Sequence, residues 1–554
     1  MKKKWLIIIP AIGIILLFIC LNITLSSAVD NVKKSFVTVS NGNTLYVGGS
    51  GVGNYTKIQD AIDNATVGDT VFVYDDSSPY YENIEISKEI TIKGENKETT
   101  IIDGTGKGIV VFLSGDGIKL TGFTIQNGGD EYVYYAGIII GGTDNIVTDN
   151  IIKNNKKYGI HIWNQHNTIS NNIIKNNKKY GLYYVSTHDW DITLIANTFE
   201  EHDSIYINAW SYYNSCEIKN NTANGKPIRC YQNTNNVIVP NDTSQVILVN
   251  CHNCIIQNID SSGLDIGILI IGYSSNNHIY DSIIKDNTWA GIVIEGYEVN
   301  NNNISNCTIS DNNCGVDIID AAYNTIYGNN IFRNDLGISI TPSSFPIIDS
   351  IKPDYQPLFL VYNNILNNNI TSNDLGILLD FGYRNNVFHN NVTKNMIGII
   401  IEGNYDGGGE NNIYLNNIIN NFKGIIIRGI VGGTHGNNIY QNNIMYNWEG
   451  IWIGSFNNGP YDNHIYHNNF IKNIKNARDW STNFWDNGSI GNYWDNYIGL
   501  KFPRLFDRNN DGIGDRSYRI LPFIIFNKDR FPLMEPYIDV PYFNQNDYWQ
   551  IPTK

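Results

Sequence analysis

Two carboxylates and one guanidinium recur at a regular interval in the second half of the chain. Asp380, Glu402 and Arg428 each stand four residues after a glycine that opens an apolar segment. If these segments are stacked strands, neighbouring groups lie about 5 Å apart on one face. Such carboxylates can perturb each other's pKa, act as an acid and base pair, or hold a cation. The structural alternative is an exposed ladder in which Arg428 offsets Glu402 and adds little stability.

The same counting places other side chains on this predicted face. Glu295 and Thr341 occupy the same position of earlier segments, and further residues stand two or four positions after other glycines. Aromatic rings on a flat sheet can stack on sugars, although strands also favour aromatic residues for structural reasons. We therefore predict a carbohydrate-binding face that carries His161, Trp163, Tyr183, Asp317 and Trp452.

The elements that position these groups are repeats of about 22 residues. The segment from Asp149 to Ile160 returns almost unchanged from Asn171 to Leu182. β-Branched residues alternate with others, Asn and Gly occupy the bends, and no helical apolar stripe is present, which favours short strands. Coils of this length bring equivalent positions above one another, about 4.8 Å apart, in parallel pairing. The sequence thus predicts an all-β fold, a parallel β-helix built around one continuous core.

Stacking also predicts which side chains form columns. Isoleucines should form an inward core and asparagines should form amide ladders at bends, where Asn also tolerates a left-handed backbone. The isoleucines expected inside include Ile151, Ile173, Ile283 and Ile418. The asparagines expected in ladders include Asn150, Asn172 and Asn417.

Four regions follow from the pattern. Residues 1–28 carry lysines and an apolar run, typical of a signal peptide or an N-terminal membrane anchor. Residues 29–70 form an N-terminal cap, in which residues 55–65 place Ile58, Ala61, Ile62 and Ala65 on one helical face. Residues 71–482 form the repeats, and the aromatic-rich residues 483–554 form a C-terminal cap.

The net charge of the chain narrows the classes of binding partner that we expect. The chain has 38 basic and 53 acidic residues, a formal net charge of -15, which argues against nucleic acid as a partner. We expect the protein to be secreted, periplasmic or on the cell surface, and to contact a membrane only through its N-terminal segment. Envelope polysaccharide or a surface protein is the expected partner.

A second candidate site is a calcium loop in the C-terminal cap. Asp507, Asn509 and Asp511 supply oxygens at loop positions 1, 3 and 5, Gly512 follows at position 6, and Asp515 stands at position 9. Position 12 is a tyrosine rather than the bidentate glutamate of an EF-hand. Calcium or another hard cation is one interpretation, and a solvated turn is the other.

The cysteines allow two interpretations. Cys251 and Cys254 form the most metal-like string, but residues three apart on a strand face opposite sides and no second such pair completes a site. Buried thiols or a disulfide therefore fit better. Cys230 and Cys251 are 21 residues apart, about one coil, and we predict a bridge between them in an oxidising compartment.

Several longer motifs resemble the exported, pectin lyase-like right-handed parallel β-helix proteins of the NosD type, a periplasmic copper-accessory group that shares the carbohydrate-binding and sugar-hydrolase (CASH) repeat domain. The resemblance rests on residues 68–96, 101–129, 224–251 and 485–515, and it implies a right-handed helix and a periplasmic or surface role. For some relatives it also implies delivery of copper to nitrous oxide reductase. The chain has only four methionines and no His-rich tract, which argues against copper as a cofactor here.

Two functional hypotheses follow. The first is a non-catalytic, exported β-helix protein that binds envelope carbohydrate or a surface partner along its flat parallel face. The alternative is a polysaccharide lyase, epimerase or hydrolase built on that face around Asp380, Glu402 and Arg428. Copper delivery is the third and least supported.

Overall fold

The fold is taken from a computed structural model that describes residues 42–132, 135–186, 191–209, 216–342, 362–403, 408–429, 434–454, 459–497, 507–522 and 527–537. The chain divides into two units, residues 1–43 and residues 44–554. The predicted signal peptide or anchor lies outside the described residues. Among the residues that are described, no helix has the length and apolar character needed to cross a membrane.

The second unit is a parallel β-solenoid of about 17 turns, as the repeat predicts. Its N-terminal stack contains three parallel sheets, a, b and c. Sheet a comprises Thr44–Val47, Thr70–Val73, Thr91–Gly94, Lys119–Thr121, Ile146–Thr148, Asn167–Ser170, Ile192–Ile195 and Glu217–Lys219. Sheet b comprises Ile101–Asp103, Thr124–Gln126, Ile151–Lys153, Ile173–Lys175, Thr198–Glu200 and Thr222–Ala223. Sheet c comprises Ile84–Ile86, Val111–Leu113, Ala136–Ile140, Tyr158–Ile162, Leu182–Ser186 and Ile205–Ala209.

The C-terminal stack contains parallel sheets d, e and f. Sheet d comprises Ile238–Val239, Ile255–Gln257, His278–Tyr280, Asn303–Ser305, Thr325–Tyr327, Asn364–Leu366, Asn386–Phe388, Asn412–Tyr414, Asn438–Tyr440 and His464–Tyr466. Sheet e comprises Asp260–Ser262, Ile283–Lys285, Thr308–Ser310, Asn330–Phe332, Asn369–Thr371, Asn391–Thr393, Asn417–Ile419, Asn443–Met445, Asn469–Ile471 and Tyr493–Trp494. Sheet f comprises Lys226–Gln232, Gln245–Val249, Ile266–Ile271, Ala290–Glu295, Cys314–Ile319, Leu336–Thr341, Leu375–Asp380, Ile397–Gly403, Lys423–Gly429, Glu449–Gly454 and Lys475–Asp479.

The core is made by the central residue of each three-residue strand. Ile418 is fully buried as predicted, whereas Ile283 is 47% exposed, and the inward residue of that strand is Ile284. Ile151 and Ile173 also stand at the first, outward position of their strands. The prediction was wrong for Ile173 and Ile283, because the pleat has a period of two, so in an Ile-Ile pair only one residue can face the core. Ile151 is nevertheless buried, at 5% exposure.

Buried asparagine ladders connect the coils at the bends. Asn150 and Asn172 belong to one such ladder, as predicted, and the Nδ2 of Asn150 lies 3.2 Å from the Oδ1 of Asn172. Asn417 instead belongs to an outer ladder on sheet e, because it is the first residue of its strand and only partly buried. Left-handed backbone recurs at the bends, for example at Asn154 and Asn176.

The two stacks meet at a break in the repeat. Thr222–Ala223 pairs antiparallel with the start of sheet f through a tight turn at Asn224 and Gly225, both with positive φ. Sheet c ends at Ile205–Ala209 and sheet f begins at Lys226–Gln232, so the two are separate sheets. Asn-Gly is a strong hairpin signal, and it is the sequence feature that marks this junction.

Both ends of the solenoid are covered, which an open stack requires. The only described helix, Ile58–Asn64, buries Ile58, Ala61 and Ile62 against the first coils, as predicted. At the other end Trp485 and Trp494 are buried, and an antiparallel pair, Tyr518–Arg519 and Lys528–Asp529, follows. There Asp529 accepts hydrogen bonds from Asn492 and Trp494, so a carboxylate supplies the acceptor at the end of one ladder.

Candidate functional site

The three charged residues singled out from the sequence lie side by side on sheet f. Asp380 is in register with Glu402, and Glu402 is in register with Arg428. The Nη2 of Arg428 donates to the Oε2 of Glu402 at 2.6 Å. The Glu402 side chain is 18% exposed and the Arg428 side chain 46% exposed, so the ion pair is open to solvent on one side.

The carboxyl group of Asp380 has a raised pKa. Burial and then the charge of Glu402 raise its pKa to about 6, against the opposing effect of Arg428. A carboxyl group with this pKa exchanges a proton close to neutral pH, while Glu402 is held by Arg428. The arrangement could therefore serve proton transfer, although it equally describes a partly buried charge ladder.

A groove of about 490 Å³ lies at the nearby bend between sheets f and d. Its residues come from the left-handed corner position of successive coils, Tyr362, Arg384, Glu410 and Gly436, and from outer positions of sheet d. The backbone N–H of Glu410 donates to the carbonyl of His435, and the N–H of Gly436 donates to that of Asp462. The corner column thus stacks as regularly as the strands do.

The groove opens where the corner column loses its side chain. Tyr362, Arg384 and Glu410 project from this column, but Gly436 does not, and a Cβ there would first meet the Cγ of Glu410 at 3.5 Å. Because Gly436 has a φ of 65°, the position needs a residue that tolerates left-handed backbone, and Asn, common at such bends, would also serve. The space therefore comes from the choice of glycine rather than from the turn itself.

The lining of the groove is polar and electrically balanced. Arg384 donates to Glu410 at 2.7 Å and to the hydroxyl of Tyr362 at 3.1 Å. Burial raises the pKa of Glu410, but hydrogen bonds from Tyr383 and Arg384 outweigh it and lower the pKa below its ordinary value. The two charges offset each other, so the groove presents no net charge to a ligand.

A ladder of amides forms the other wall of the groove. The outer asparagines of sheet d bond to one another in series at 3.0–3.1 Å, and they are Asn364, Asn386, Asn412 and Asn438. Within this series an interior amide uses one N–H and one lone pair of its side chain. The second N–H and second lone pair of each can face a ligand, so the wall offers alternating donors and acceptors.

The aromatic face predicted from the sequence is divided between two sheets. His161 and Tyr183 lie on sheet c and Trp163 directly follows one of its strands, whereas Asp317 and Trp452 lie on sheet f. The prediction of one continuous face was wrong because the repeat breaks at residues 216–245. Trp163 is 42% exposed, and Trp452 is half-buried with the Nζ of Lys423 at 4.9 Å from its ring centre.

Two members of that predicted face are not exposed at all. His161 is 1% exposed, because the rings of Tyr158, Trp163 and Tyr183 surround it with centres 4.9–5.5 Å away. Asp317 is 8% exposed, and burial raises its pKa to about 6. Large side chains on coils about 5 Å apart cover one another, which simple alternation along a strand does not predict.

A cluster of buried carboxyl groups lies at the junction of the two stacks, and sequence counting missed its pairing. The Oδ2 of Asp265 accepts hydrogen bonds from the backbone N–H of Gly181 at 3.0 Å and Ser204 at 2.9 Å. Tyr206 donates to Glu295 at 2.5 Å. Side chains from sheet f thus complete the free edge of sheet c, and only the broken repeat hinted at such a contact.

The predicted calcium loop contains oxygens that already accept backbone hydrogen bonds. Asp507 accepts from the N–H groups of Asp511 and Gly512, and Asp511 accepts from Ile513. Asn509 donates to Asp511, and Asp515 accepts from Arg508. Among the described residues no group of three or more His, Cys, Asp or Glu side chains is arranged to hold a metal ion.

The predicted disulfide is absent from the structure. Six cysteines are free, among them Cys230 and Cys251. Cys230 pairs with Ile247 rather than with Cys251, which lies beyond the end of its strand, so one repeat of spacing does not place the two in register. Burial raises the pKa of the Cys251 thiol to about 11 and keeps it protonated.

Comparison with protein families identifies two matches. The model described as "Right handed beta helix region" matches residues 21–199 and 186–331. The model described as "Periplasmic copper-binding protein (NosD)" matches residues 353–499, which confirms the resemblance found in the sequence. No curated protein matches the chain.

Solved structures similar to this chain have low identity to it. The mannuronan C-5 epimerase AlgE4 A-module of Azotobacter vinelandii is 13% identical, covering 69% of this chain and 93% of its own, with a TM-score of 0.26. The pectin methylesterase of Aspergillus niger is 13% identical, covering 43% and 84%, with a TM-score of 0.26. The alginate lyase of a Paenibacillus species is 11% identical, covering 68% and 94%, with a TM-score of 0.23.

Proposed function

This chain belongs to the right-handed β-helix family, and we propose that it is an exported protein that binds uncharged envelope carbohydrate in the corner groove without transforming it. The observation that carries the proposal is the groove itself, with its amide wall and its internally balanced Arg384–Glu410 pair. A sugar hydroxyl both donates and accepts hydrogen bonds, which suits a wall of alternating amide groups. The match to a model of periplasmic proteins supports export.

The mode of recognition differs from the aromatic stacking expected from the sequence. Beside the groove, the rings of Phe388, Tyr414, Tyr440 and Tyr466 stack on one another with centres 4.9–5.4 Å apart. Their planes lie within 5° of parallel, so each inner ring offers its edge rather than its face to solvent. We infer that hydrogen bonds, not ring stacking, would select the glycan at this surface.

Filling the groove tests the proposal. We expect Gly436→Asn to lower affinity for a bound neutral glycan at least tenfold, because the new side chain occupies the open corner while keeping left-handed backbone. A glycan array identifies the tightest neutral ligand of the full chain, and calorimetric titration then compares the variants. A matched control is Gly328→Asn, a substitution at a corner of similar φ, 68°, outside the groove lining.

The control should bind like the original protein, and both variants should keep its thermal midpoint. Unchanged affinity in Gly436→Asn would remove the groove from the binding mechanism. Preference for charged over neutral glycans would contradict the balanced lining.

Catalysis on the face of sheet f is the second candidate, and the raised pKa of Asp380 beside the Glu402–Arg428 pair favours it. Asp380 would exchange the proton, and Arg428 would orient Glu402 or bind a substrate carboxylate. The substrate class would be uronic-acid polymers, whose acidity suits an arginine.

If the chain turns over such polymers, we expect Asp380→Asn to lower kcat/KM at least 100-fold, the usual range for an acid–base residue. With Asp380 as base, the rate should rise as the pH increases through about 6, where this carboxyl group loses its proton. Alginate and polygalacturonate are assayed for unsaturated products and for epimerisation. Asp374→Asn, which alters an exposed carboxylate before the same strand, should leave the rate unchanged, and absence of turnover on every polymer leaves binding as the function.

A further inference from the structure

A ridge of four apolar side chains, three of them exposed and one half-buried, runs along the bend between sheets e and f. It consists of Met396, Phe422, Trp448 and Ile474, one from each of four successive coils. Met396 is 59%, Trp448 41% and Ile474 67% exposed, and the rings of Phe422 and Trp448 stack with centres 6.0 Å apart. With a rise of about 4.8 Å per coil the ridge is about 14 Å long.

The fold does not require apolar residues at this position. In the three coils directly before the ridge the equivalent residues are Asn313, Asp335 and Asp374, and all three are exposed. Their backbone N–H groups make the same contact to the preceding coil as those of the ridge residues, for example Asp374 to Asn334 and Trp448 to Asn421. Since polar residues serve equally well in the turn, the change to four consecutive apolar residues calls for a contact outside the solenoid.

Lysines flank the ridge on both sides. Lys394 and Lys472 stand at the left-handed corner before it, and Lys423 and Lys475 open the strands after it. No carboxylate of the described residues lies within salt-bridge distance of these four ammonium groups. Two nearby acidic groups are engaged, since Glu449 is buried and bound to Arg478 and Asp495 accepts the N–H of Lys472. Exposed Asp374 lies one coil before Met396.

We propose that this ridge docks the protein on the surface of a membrane that contains anionic lipids. Met396, Trp448 and Ile474 would enter the headgroup region, and the lysines would bind lipid phosphates. The charge pattern favours lipid over a protein partner, because lysine is depleted from protein interfaces while an apolar edge lined by lysine is typical of interfacial binding. The ridge is also convex, whereas the anchor residues of protein interfaces fill pockets.

This surface departs from the expectation that only the N-terminal segment contacts a membrane. That expectation rested on the apolar run in residues 1–28, and the net charge of -15 describes the whole chain rather than this surface. Attraction to a charged surface falls off within about 10 Å at 0.1 M salt, so a local group of lysines can act independently of distant carboxylates.

Sedimentation of the full chain with vesicles tests the inference. Vesicles of phosphatidylcholine alone measure binding by the apolar run near the N-terminus. Vesicles that also contain phosphatidylglycerol measure in addition the binding that the ridge contributes. We expect stronger binding to the anionic vesicles that high salt abolishes. A variant with Lys394→Gln, Lys472→Gln and Lys475→Gln should lose about fivefold in the anionic partition coefficient per lysine, and one with Met396→Thr, Trp448→Thr and Ile474→Thr should lose at least tenfold.

Matched variants decide the outcome. Ile238→Thr, Ile283→Thr and Tyr327→Thr together remove three exposed apolar side chains elsewhere and should bind anionic vesicles like the original protein. Equal binding by the ridge and control variants overturns the proposal, as does a salt-insensitive difference. Ridge-dependent dimers in analytical ultracentrifugation without anionic-vesicle binding would assign the ridge to a second copy instead. The single change Ile474→Thr, at a 67% exposed position, gives the same comparison if the triple variant fails to fold.

Discussion

Replacing Asn416 with alanine is expected to lower the free energy of unfolding by about 3–5 kcal/mol, whereas the same change at the adjacent Asn417 should cost less than about 1 kcal/mol. Asn416 is fully buried, and its Oδ1 accepts from the N–H and the Nδ2 of Asn390 at 2.9 and 3.0 Å. Its Nδ2 donates to the carbonyls of Val387 and Tyr414. Alanine leaves these buried groups without partners, and each costs about 1–3 kcal/mol.

Asn417 provides a close control because it is the next residue and also bonds an asparagine one coil away. Its Oδ1 accepts from the Nδ2 of Asn443 at 3.0 Å, but it lies on the outer surface of sheet e and is only half-buried. Water can replace that bond when the side chain is lost. Urea denaturation followed by circular dichroism compares the two variants.

Hydrogen exchange gives a local measure of the same effect. The amide of Asn390 should lose protection in Asn416→Ala and keep it in Asn417→Ala, since a solenoid is stabilised largely by contacts between adjacent coils. Equal destabilisation by the two changes would show that the inner ladder contributes no more than the outer one.

The sequence predicted the parts of this structure that depend on the repeat. The register of Asp380, Glu402 and Arg428 followed from counting, because each coil offers the same position at the same height. The amide ladder that contains Asn150 and Asn172 was predicted for the same reason. The predicted disulfide between Cys230 and Cys251 is absent although the spacing is about one coil. These residues lie beside the junction, where coil lengths change.

Other features depend on what the repeat does not encode. The burial of His161 depends on ring sizes in adjacent coils, and the contact of Asp265 with Gly181 joins residues 84 positions apart across the junction. The groove exists because Gly436 lacks a side chain where other coils carry one, and the absence of a group is a weak signal in a sequence rich in glycine. Such features depend on contacts between side chains that the repeat does not specify.

We expect the stability of the protein to decrease as the pH rises from about 4 to about 8, and Asp265→Asn to remove much of that decrease. Burial raises the pKa of Asp265 to about 8 and also raises the pKa of Asp203, which Asp265 raises further. A carboxyl group whose pKa is higher in the folded than in the unfolded state binds its proton more tightly when folded. Its stabilising contribution is therefore complete below about pH 4 and is lost as the pH approaches the pKa of the group in the folded state.

The ionisable groups around Asp265 also favour a loss of stability as the pH rises. Glu295, across the junction, has a pKa raised to about 7 by burial, and Tyr180 has its pKa raised by burial and then by Asp265. Lys179 is the nearby base, and burial lowers its pKa, so it compensates poorly. Glu201, which raises the pKa of Asp203, adds a further negative charge. Deprotonation thus places several like charges between the two stacks.

Two substitutions at Asp265 separate its charge from its hydrogen bonds. In Asp265→Asn the amide oxygen can still accept from Gly181 and Ser204, and its N–H₂ group can donate to the hydroxyl of Thr288, which now bonds the carboxylate at 3.0 Å. This variant should match or exceed the original protein at pH 8 in thermal midpoint. Asp265→Ala leaves two buried N–H groups unpaired and should lose about 2–5 kcal/mol at every pH. Identical pH profiles for Asp265→Asn and the original protein would show that the junction does not titrate.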